Sequence, residues 1–287
     1  MAAGTLYLVA TPIGNLEDIT YRAVRVLAQV DIIACEDTRR TRVLLNHYGI
    51  KAKTISYHEH NERERAAELA SRIEQGANVA IVSDAGTPGI NDPGFRLVRE
   101  CAVRGVPVVP VPGATAFVAA LIASGLPTND FFFGGFLPAR STARRARLAE
   151  VRALPTTLVF YEAPHRLAFA LTDAREILGE RDAAVVRELT KLHEEIARGS
   201  LSDLATRFAD ENAARGEIVL VINRAASDGT AIIAADNAMS LVARVAAFES
   251  EGLDGRAALK KAARESGLSR SEAYRRLVAE RASERID

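Results

Sequence analysis

The segment NVAIVSDAGTPGINDPG, residues 78–94, is the most informative part of this chain. Its apolar start is typical of a buried strand, and the twelve residues at 83–94 then include three Gly, two Pro and two Asp. Small residues let a ligand reach backbone amides and carbonyls directly. In open α/β sheets, ligands bind beyond the carboxyl ends of the strands. The segment therefore predicts an α/β fold with a binding cleft at one edge of its sheet.

Two further loops have the same character, ATPIGN at 10–15 and VPGATAF at 111–117. Each follows a predicted strand and precedes a predicted helix, so the three loops should meet at one sheet edge. Together they predict a cleft for a ligand with many polar atoms. The chain lacks G-x-G-x-x-G and G-x-x-x-x-G-K-S/T, which argues against the usual devices for binding dinucleotides and nucleoside triphosphates.

Composition limits the class of protein. The 287 residues suit about two domains, since ~100–200 residues is the usual domain size. There are 37 basic and 37 acidic side chains, so any case for nucleic acid must come from local patches. Cys35 and Cys101 lie in apolar settings, which argues against a disulfide framework or a metal site. No secretory signal precedes the first strand, and prolines interrupt the uncharged stretch 105–129, so we expect a cytoplasmic protein without a membrane span.

Apolar runs alternate with helical patterns along the first 224 residues, as in α/β proteins. We predict strands at 5–10, 31–35, 53–57, 78–83 and 106–111 in the first half. We predict four more at 131–134, 156–161, 183–187 and 217–222. The resulting domains are an α/β domain at 1–124, a second α/β domain at 125–224, a linker at 225–237 and a helical tail at 238–287.

Capping residues mark several helix starts. Asp37 predicts the start of a helix over 38–48. Asn61, followed by Glu three residues later, indicates a capping box. Asp92, which precedes a proline, indicates the start of a helix that ends at Gly105. In the tail, a turn at Gly267 between two helical patterns gives a helix-turn-helix appearance.

Seven motifs in order along the chain resemble one known family. They are LYLVATPIGNLEDIT (6–20), ACEDTRRT (34–41), SDAGTPGINDPG (83–94), ASGLPTNDFFFGGFLPA (123–139), TLVFYEAPHR (157–166), RELTKLHEE (187–195) and GEIVLVI (216–222). Together they resemble the ribosomal RNA small subunit methyltransferase I family, within the tetrapyrrole methylase superfamily. The resemblance implies two α/β domains with S-adenosylmethionine (SAM) bound in the cleft between them, usually in a homodimer. It also implies 2′-O-methylation of a cytidine in the decoding centre of 16S rRNA, with the rRNA or the small subunit as partner.

Matched positions give the cofactor-binding residues that the resemblance implies. They are Pro12, Ala85, Gly86, Thr87, Ile90, Thr115, Ala116, Glu162, Leu189, Glu217 and Ile218. The chain departs from the tetrapyrrole enzymes in its first loop, where TPIGN replaces their Gly-rich run. This departure favours an RNA substrate over a small macrocycle.

The catalytic candidates are charged residues that follow strands facing the same cleft. A ribose hydroxyl is a poor nucleophile while protonated, so a positioned base or a nearby cation should help methyl transfer. We rank Glu162, Lys191 and Arg39 highest for this role, and the residues alone do not decide which of them is the base.

Three basic clusters predict contacts with RNA phosphates, although each could also be a solvated helix face. The predicted RNA-binding residues are Arg39, Arg40 and Arg42 in the first cluster, Arg140, Arg144, Arg145 and Arg147 in the second, and Lys260, Lys261, Arg270, Arg275 and Arg276 in the tail. Aromatic residues make up only 6% of the chain, so recognition of a folded RNA by shape is favoured over base stacking along a single strand.

Two other functions are compatible with parts of the sequence. One is a tetrapyrrole or diphthine-type methylase, for which the basic tail has no evident use. The other is a regulator that senses a ligand and binds DNA through the tail, although its arginines need not face one groove.

Overall fold

The computed structural model describes residues 3–210, 215–225, 241–250, 252–265, 273–275 and 277. The chain divides into two compact units, Met1–Ala225 and Ala226–Asp287. The first contains two five-stranded sheets, and the described residues of the second are helical or in short turns. No helix in the described ranges has both the length and the apolar character needed to cross a membrane.

The first sheet is entirely parallel. Its strands are β1 Leu6–Val9, β2 Ile32–Cys35, β3 Lys53–Ser56, β4 Val79–Val82 and β5 Val108–Val111, in the order β3-β2-β4-β1-β5. The first four helices are α1 Tyr21–Gln29, α2 Thr38–His47, α3 Glu62–Glu74 and α4 Phe95–Val103. Every residue of β2 and β4 is buried, as expected for central parallel strands covered on both faces. All five predicted strands are confirmed.

The second sheet is mixed. Its strands are β6 Phe131–Phe136, β7 Thr157–Glu162, β8 Asp182–Arg187, β9 Glu195–Ser200 and β10 Ile218–Ile222, in the order β6-β7-β10-β8-β9. Only the β6–β7 pair is parallel. The next four helices are α5 Ala116–Ser124, α6 Ser141–Val151, α7 Leu167–Leu178 and α8 Leu201–Arg207. Buried residues of α5 pack on this second sheet, so the third small-residue loop lies between the two sheets.

The structure corrects one predicted helix start, at Asp92, and one predicted capping interaction, at Asn61. Asp37 does cap α2, because its Oδ1 accepts a hydrogen bond of 2.8 Å from the Arg39 amide. Asn61 does not form a capping box, and its Oδ1 instead accepts from the His58 amide at 2.9 Å. The prediction for Asp92 is also wrong, because α4 begins at Phe95 after Gly94, whose φ of 152° favours glycine. Asp92 is therefore not needed to cap this helix.

The second unit contains α9 Leu241–Ser250 and α10 Gly255–Glu265, and residues 273–275 are also helical. Its small core is formed by Leu241, Val245, Ala258, Ala262, Ala263, Ala273 and Leu277. Asp254 caps α10, since its Oδ1 accepts from the amides of Arg256 and Ala257. The predicted turn at Gly267 and the linker residues 226–237 lie outside the described residues.

Candidate functional site

A cleft of about 350 Å³ lies where the loops of the first sheet face the second sheet. From the first sheet and the loop before α5 it is lined by Ile13, Ala85, Gly86, Thr87, Ile90, Asn91, Asp92, Thr115 and Ala116. From the second sheet it is lined by Phe136, Tyr161, Glu162, Ala163, Pro164, Gly216, Glu217, Ile218 and Val219. A volume in this range suits a small molecule or a nucleotide-sized cofactor.

The first two loops are joined through their backbones. The Thr11 amide donates to the Gly86 carbonyl at 2.9 Å, and the Gly86 amide donates to the Thr11 carbonyl at 3.1 Å. Gly86 has φ of 80° and Gly89 has φ of 83°, a region that favours glycine over residues with a Cβ. These positive angles explain both glycines, and they leave backbone rather than bulky side chains along this wall of the cleft.

The second and third loops are joined by two threonines. The hydroxyls of Thr87 and Thr115 are 2.8 Å apart, and the Thr87 hydroxyl also donates to the Ala114 carbonyl at 3.3 Å. Thr115 is the residue before α5, but its side chain makes no capping hydrogen bond. Its hydroxyl therefore belongs to the cleft wall and not to the helix end.

Glu162, at the end of β7, is buried against the cleft. Its Oε1 accepts from the Arg166 guanidinium and from the Ala163 amide, both at 2.8 Å. Its Oε2 is buried without a hydrogen-bond partner in the described part of the chain. Burial raises the pKa of this carboxyl, while the Ala163 amide and Arg166 oppose the rise. This oxygen therefore retains an unused capacity to accept a hydrogen bond.

Lys191 lies beside the cleft, in the turn between β8 and β9. Its Nζ is 2.9 Å from Glu188 and 3.3 Å from Glu217, and Glu217 lines the cleft. The stem packs against the first loop, because a Cβ at Gly14 would lie 2.5 Å from Lys191 Cγ. Burial acts to lower the pKa of Lys191, but the two carboxylates outweigh it and the net pKa is raised. Lys191 is thus held as a cation, which is unsuited to accepting a proton.

Most of the predicted cofactor residues come together in this cleft. Nine of the eleven line it, namely Ala85, Gly86, Thr87, Ile90, Thr115, Ala116, Glu162, Glu217 and Ile218. Pro12 and Leu189 do not line it. Leu189 is partly buried against the α5 core, and the neighbour of Pro12, Ile13, contributes to the cleft instead.

The sequence reasoning missed three notable residues of the cleft, Asp92, Phe136 and Tyr161. Phe136 is 58% exposed, and the centroid of its ring lies 5.3 Å from that of Tyr161. Asp92 is half-buried, and its pKa is raised to about 6 by burial and by the charges of Glu36 and Asp84, with the Ser83 hydroxyl opposing. Their positions in the sequence could have indicated them, since Asp92 lies in the segment that follows β4 and Phe136 ends the FFFGGF run.

The first basic cluster lies on α2. Arg39 is 88% exposed and pairs with Asp37 at 2.7 Å, and its guanidinium lowers the pKa of that carboxyl to about 2. Arg40 pairs with Asp84 at 3.4 Å, and Arg42 is exposed. Arg39 is absent from the cleft wall, so its position fits a contact with an extended partner better than one with a reacting atom.

In the second basic cluster, on α6, some of the arginines form ion pairs within the fold. Arg144 is buried and pairs with Asp173 at 2.7 Å, so the prediction that it binds RNA is wrong. Arg145 also pairs with Asp173, at 2.9 Å, and Arg147 pairs with Glu150 at 2.7 Å. Arg140 is exposed just before the helix. In the second unit, Lys260, Lys261 and Arg275 are exposed, whereas Arg270 and Arg276 lie outside the described residues.

Comparison with known proteins identifies the class of protein to which this chain belongs. Residues 5–205 match the family model of the Tetrapyrrole (Corrin/Porphyrin) Methylases. A crystal structure of uroporphyrin-III C-methyl transferase from Thermus thermophilus, complexed with S-adenyl homocysteine, has a TM-score of 0.54 to this chain. At 21% identity, over 77% of this chain and 97% of that one, it supports the fold alone. The fold and the cleft thus define a methyltransferase of the tetrapyrrole methylase type.

Closer relatives give the family. Ribosomal RNA small subunit methyltransferase I of Pseudomonas aeruginosa is 51% identical over 239 residues, which cover 82% of this chain and 85% of that protein. The protein of the same name from Halalkalibacterium halodurans is 45% identical, over 94% of this chain and 93% of its own length. The chain belongs to the ribosomal RNA small subunit methyltransferase I family, and its cofactor is S-adenosylmethionine.

Proposed function

We propose that this protein transfers a methyl group from SAM to the ribose 2′-oxygen of a cytidine in the decoding centre of 16S rRNA. The observation that carries the proposal is the identity of 45–51% to enzymes named ribosomal RNA small subunit methyltransferase I. We further propose that the enzyme is a cytoplasmic homodimer, and that its substrate is the rRNA itself or the small ribosomal subunit.

The residues of the cleft suit SAM. The hydroxyls of Thr87 and Thr115 and the backbone of the second loop offer hydrogen-bonding groups for its polar parts. Ile90 and Ile218 offer apolar surface for its adenine. The unpartnered Oε2 of Glu162 can accept a hydrogen bond from an ammonium or hydroxyl group of the cofactor. When bound, SAM supplies an electrophilic methyl group on a sulfonium sulfur.

The charged residues around the cleft divide into two roles. We assign Glu162 to cofactor binding, because Arg166 and the Ala163 amide already hold one of its oxygens. We assign Lys191 to positioning, because it ties Glu217, on the cleft wall, to Glu188. Alignment of nucleophile and methyl group supplies much of the acceleration in such displacements, so fixed walls matter.

The exposed basic residues form the proposed RNA-binding surface. In the first unit they are the exposed Arg39, Arg40, Arg42 and Arg140 and the partly exposed Arg145 and Arg147, and in the second unit they include Lys260, Lys261 and Arg275. Several of these side chains also pair with carboxylates, as Arg40 does with Asp84. Such exposed pairs are weak, at about 1 kcal/mol or less, so a phosphate can compete for the arginine.

The proposed activity is tested with labelled SAM and small subunits from cells that lack this modification. We expect one methyl group per subunit, recovered as 2′-O-methylcytidine after nuclease digestion. Naked 16S rRNA, tested in parallel, distinguishes the two forms of the substrate. Label on a base, on protein or on a tetrapyrrole would overturn the proposal. No observation on the cleft favours a small-molecule methylase or a DNA-binding regulator as a second candidate.

A further inference from the structure

We propose that a groove between α1 and the edge strand β5 binds the backbone of the RNA substrate outside the cleft, an inference that rests on the function proposed above. The groove has a volume of about 390 Å³ and shares no lining residue with the cleft. Its floor includes Tyr7 of β1 and Val109 of β5, and its rim is formed by Arg22, Arg25 and Gln29 of α1. It is therefore a second concave surface, with an apolar floor and a basic rim.

The groove exists because the first sheet is incompletely covered at one edge. A parallel sheet usually has helices over both of its faces. Strand β5 pairs only with β1, and α1, which packs on this face, leaves Val109 37% exposed. Tyr7 is also only partly buried. A surface of this kind suits a ligand that has both an apolar and a charged part, as a nucleotide does.

The charge of the rim favours an anion. Arg22 and Arg25 lie on the same side of α1, because residues three apart in a helix are neighbours on its surface. Both are exposed, and within the described part of the chain neither forms an ion pair and no lining residue of the groove is acidic. Arg40 and Arg145, by contrast, pair with carboxylates. Phosphates are the anions that the proposed substrate carries.

Tyr21 adds an aromatic ring beside the basic rim. It is the first residue of α1, next to Arg22, and it is 98% exposed. Such exposure leaves the apolar faces of the ring in water, and an unpaired nucleobase can cover one of them by stacking. A single ring holds one base, which is compatible with recognition of a folded RNA.

The groove begins at the edge of the sheet where the cleft lies. Strand β1 ends at this edge, and the loop that follows it contributes Ile13 to the cleft. Helix α1 then begins at Tyr21 and returns along the sheet, as the helix of a βαβ crossover does. Arg22 therefore lies at the end of the groove nearer the cleft, and Gln29 lies at the far end. An RNA strand whose target ribose enters the cleft can continue along α1 with its phosphates on the two arginines.

A second copy of this chain is the main alternative occupant of the groove. A twofold contact brings the same surface of both copies together. Here it would place Arg22 and Arg25 of the two copies near one another, without an acidic lining residue in the described chain to offset them. Like charges facing each other oppose association, so the rim favours RNA over self-association.

The experiment compares the full-length wild type with the double variant Arg22→Ala/Arg25→Ala. Fluorescence anisotropy at several salt concentrations measures binding to 16S rRNA, and calorimetry measures binding to S-adenosylhomocysteine. We expect the variant to bind rRNA at least about tenfold more weakly, and the slope of log affinity against log salt to fall by roughly 1.4–1.8 for two phosphate contacts. Affinity for S-adenosylhomocysteine should stay within about threefold of the wild type, because the cleft is unchanged.

The matched control is the double variant Arg63→Ala/Arg99→Ala. These arginines are exposed on α3 and α4, which pack on the opposite face of the first sheet, and neither forms an ion pair in the described ranges. The control removes the same charge and should keep rRNA affinity within about threefold of the wild type. A further variant, Tyr21→Ala, should weaken rRNA binding by about fivefold or more without changing the salt slope.

The inference is overturned if either Arg22→Ala/Arg25→Ala or Tyr21→Ala binds rRNA as the wild type does. Equal losses in the two double variants would also overturn it, because net charge alone would then explain the effect. A change in oligomeric state of Arg22→Ala/Arg25→Ala in sedimentation would assign the groove to a subunit contact instead. A wild type that binds S-adenosylhomocysteine but neither 16S rRNA nor the small subunit would refute the proposed function itself.

Discussion

At the scale of single residues, Asp92 links the stability of the fold to pH. Its pKa rises from 3.8 to about 6 on folding, so the folded state holds the proton more tightly than the unfolded chain does. Its contribution to stability is full below about pH 4 and is lost as pH rises through about 6. We therefore expect Asp92→Asn, which cannot ionise, to raise Tm relative to the wild type at about pH 8.

Thermal unfolding followed by circular dichroism tests this expectation. Near pH 4 the wild-type carboxyl is largely protonated in the folded protein, so the two proteins should have similar Tm values. A lower Tm for Asp92→Asn at about pH 8 would mean that the charge stabilises the fold, contrary to the environment described.

Thr87 gives the corresponding test for the cofactor. Its hydroxyl is 2.8 Å from that of Thr115 across the cleft wall, so a long cationic side chain here would fill the cavity. We expect Thr87→Arg to weaken S-adenosylhomocysteine binding by more than about 100-fold while the circular dichroism spectrum stays unchanged. Thr87→Ser keeps the hydroxyl and should bind within about threefold of the wild type. Normal affinity in Thr87→Arg would refute the assignment of this loop.

Individual residues show which features of the site can be predicted from the sequence and which cannot. The glycines of the second loop were identified because a sequence shows directly where Cβ atoms are missing. Asp before Pro is a common helix start and so predicts a cap at Asp92, whereas α4 begins at Phe95 after Gly94, whose φ is 152°. The burial of Arg144 is not evident from the local sequence, because its partner, Asp173, is 29 residues away along the chain.

At the scale of elements, the buried pair between Arg144 and Asp173 holds α6 against α7. Both side chains are at most 9% exposed, so removing Arg144 would leave the buried carboxylate with only Arg145 and the Ser141 hydroxyl as partners. We expect Arg144→Ala to lower the free energy of unfolding by up to about 3–5 kcal/mol, measured by denaturant titration. Arg147, on the same helix, pairs with Glu150 at the surface, and Arg147→Ala should cost about 1 kcal/mol or less.

The opposite ranking of these two variants would show that the pair is not structural. RNA affinity provides an independent readout, because Arg140, exposed at the start of the same helix, is the residue of this cluster that we expect to contact phosphate. Arg140→Ala should weaken RNA binding while leaving the free energy of unfolding within about 0.5 kcal/mol of the wild type.

Some strands are easier to predict from their local sequence than others. Strands β4 and β10 are continuous apolar runs, because they lie inside their sheets with both faces covered, and both were predicted. Strand β9 was missed because EIARGS mixes charged and small residues, as an edge strand can when one of its sides is solvated. The pairing of β9 with β8 is long-range information that the local pattern does not contain.

At the scale of the whole molecule, an equal number of basic and acidic side chains coexists with local basic surfaces. Residues 256–276 carry seven basic and two acidic side chains, and the described part of this region belongs to the second compact unit. The cleft, by contrast, is built from residues of the first unit alone. Binding of RNA and binding of the cofactor should therefore be separable.

We expect deletion of residues 238–287 to weaken binding to 16S rRNA far more than binding to S-adenosylhomocysteine, since the cleft residues all remain. The loss should come from phosphate contacts, so the slope of log affinity against log salt should fall by roughly 0.7–0.9 for each contact removed. Fluorescence anisotropy at several salt concentrations measures both quantities. Lys260→Glu combined with Lys261→Glu is the matched variant, because it keeps the second unit and reverses only its charge. Equal losses of RNA and cofactor affinity on deletion, or an unchanged salt slope, would show that this unit does not bind RNA.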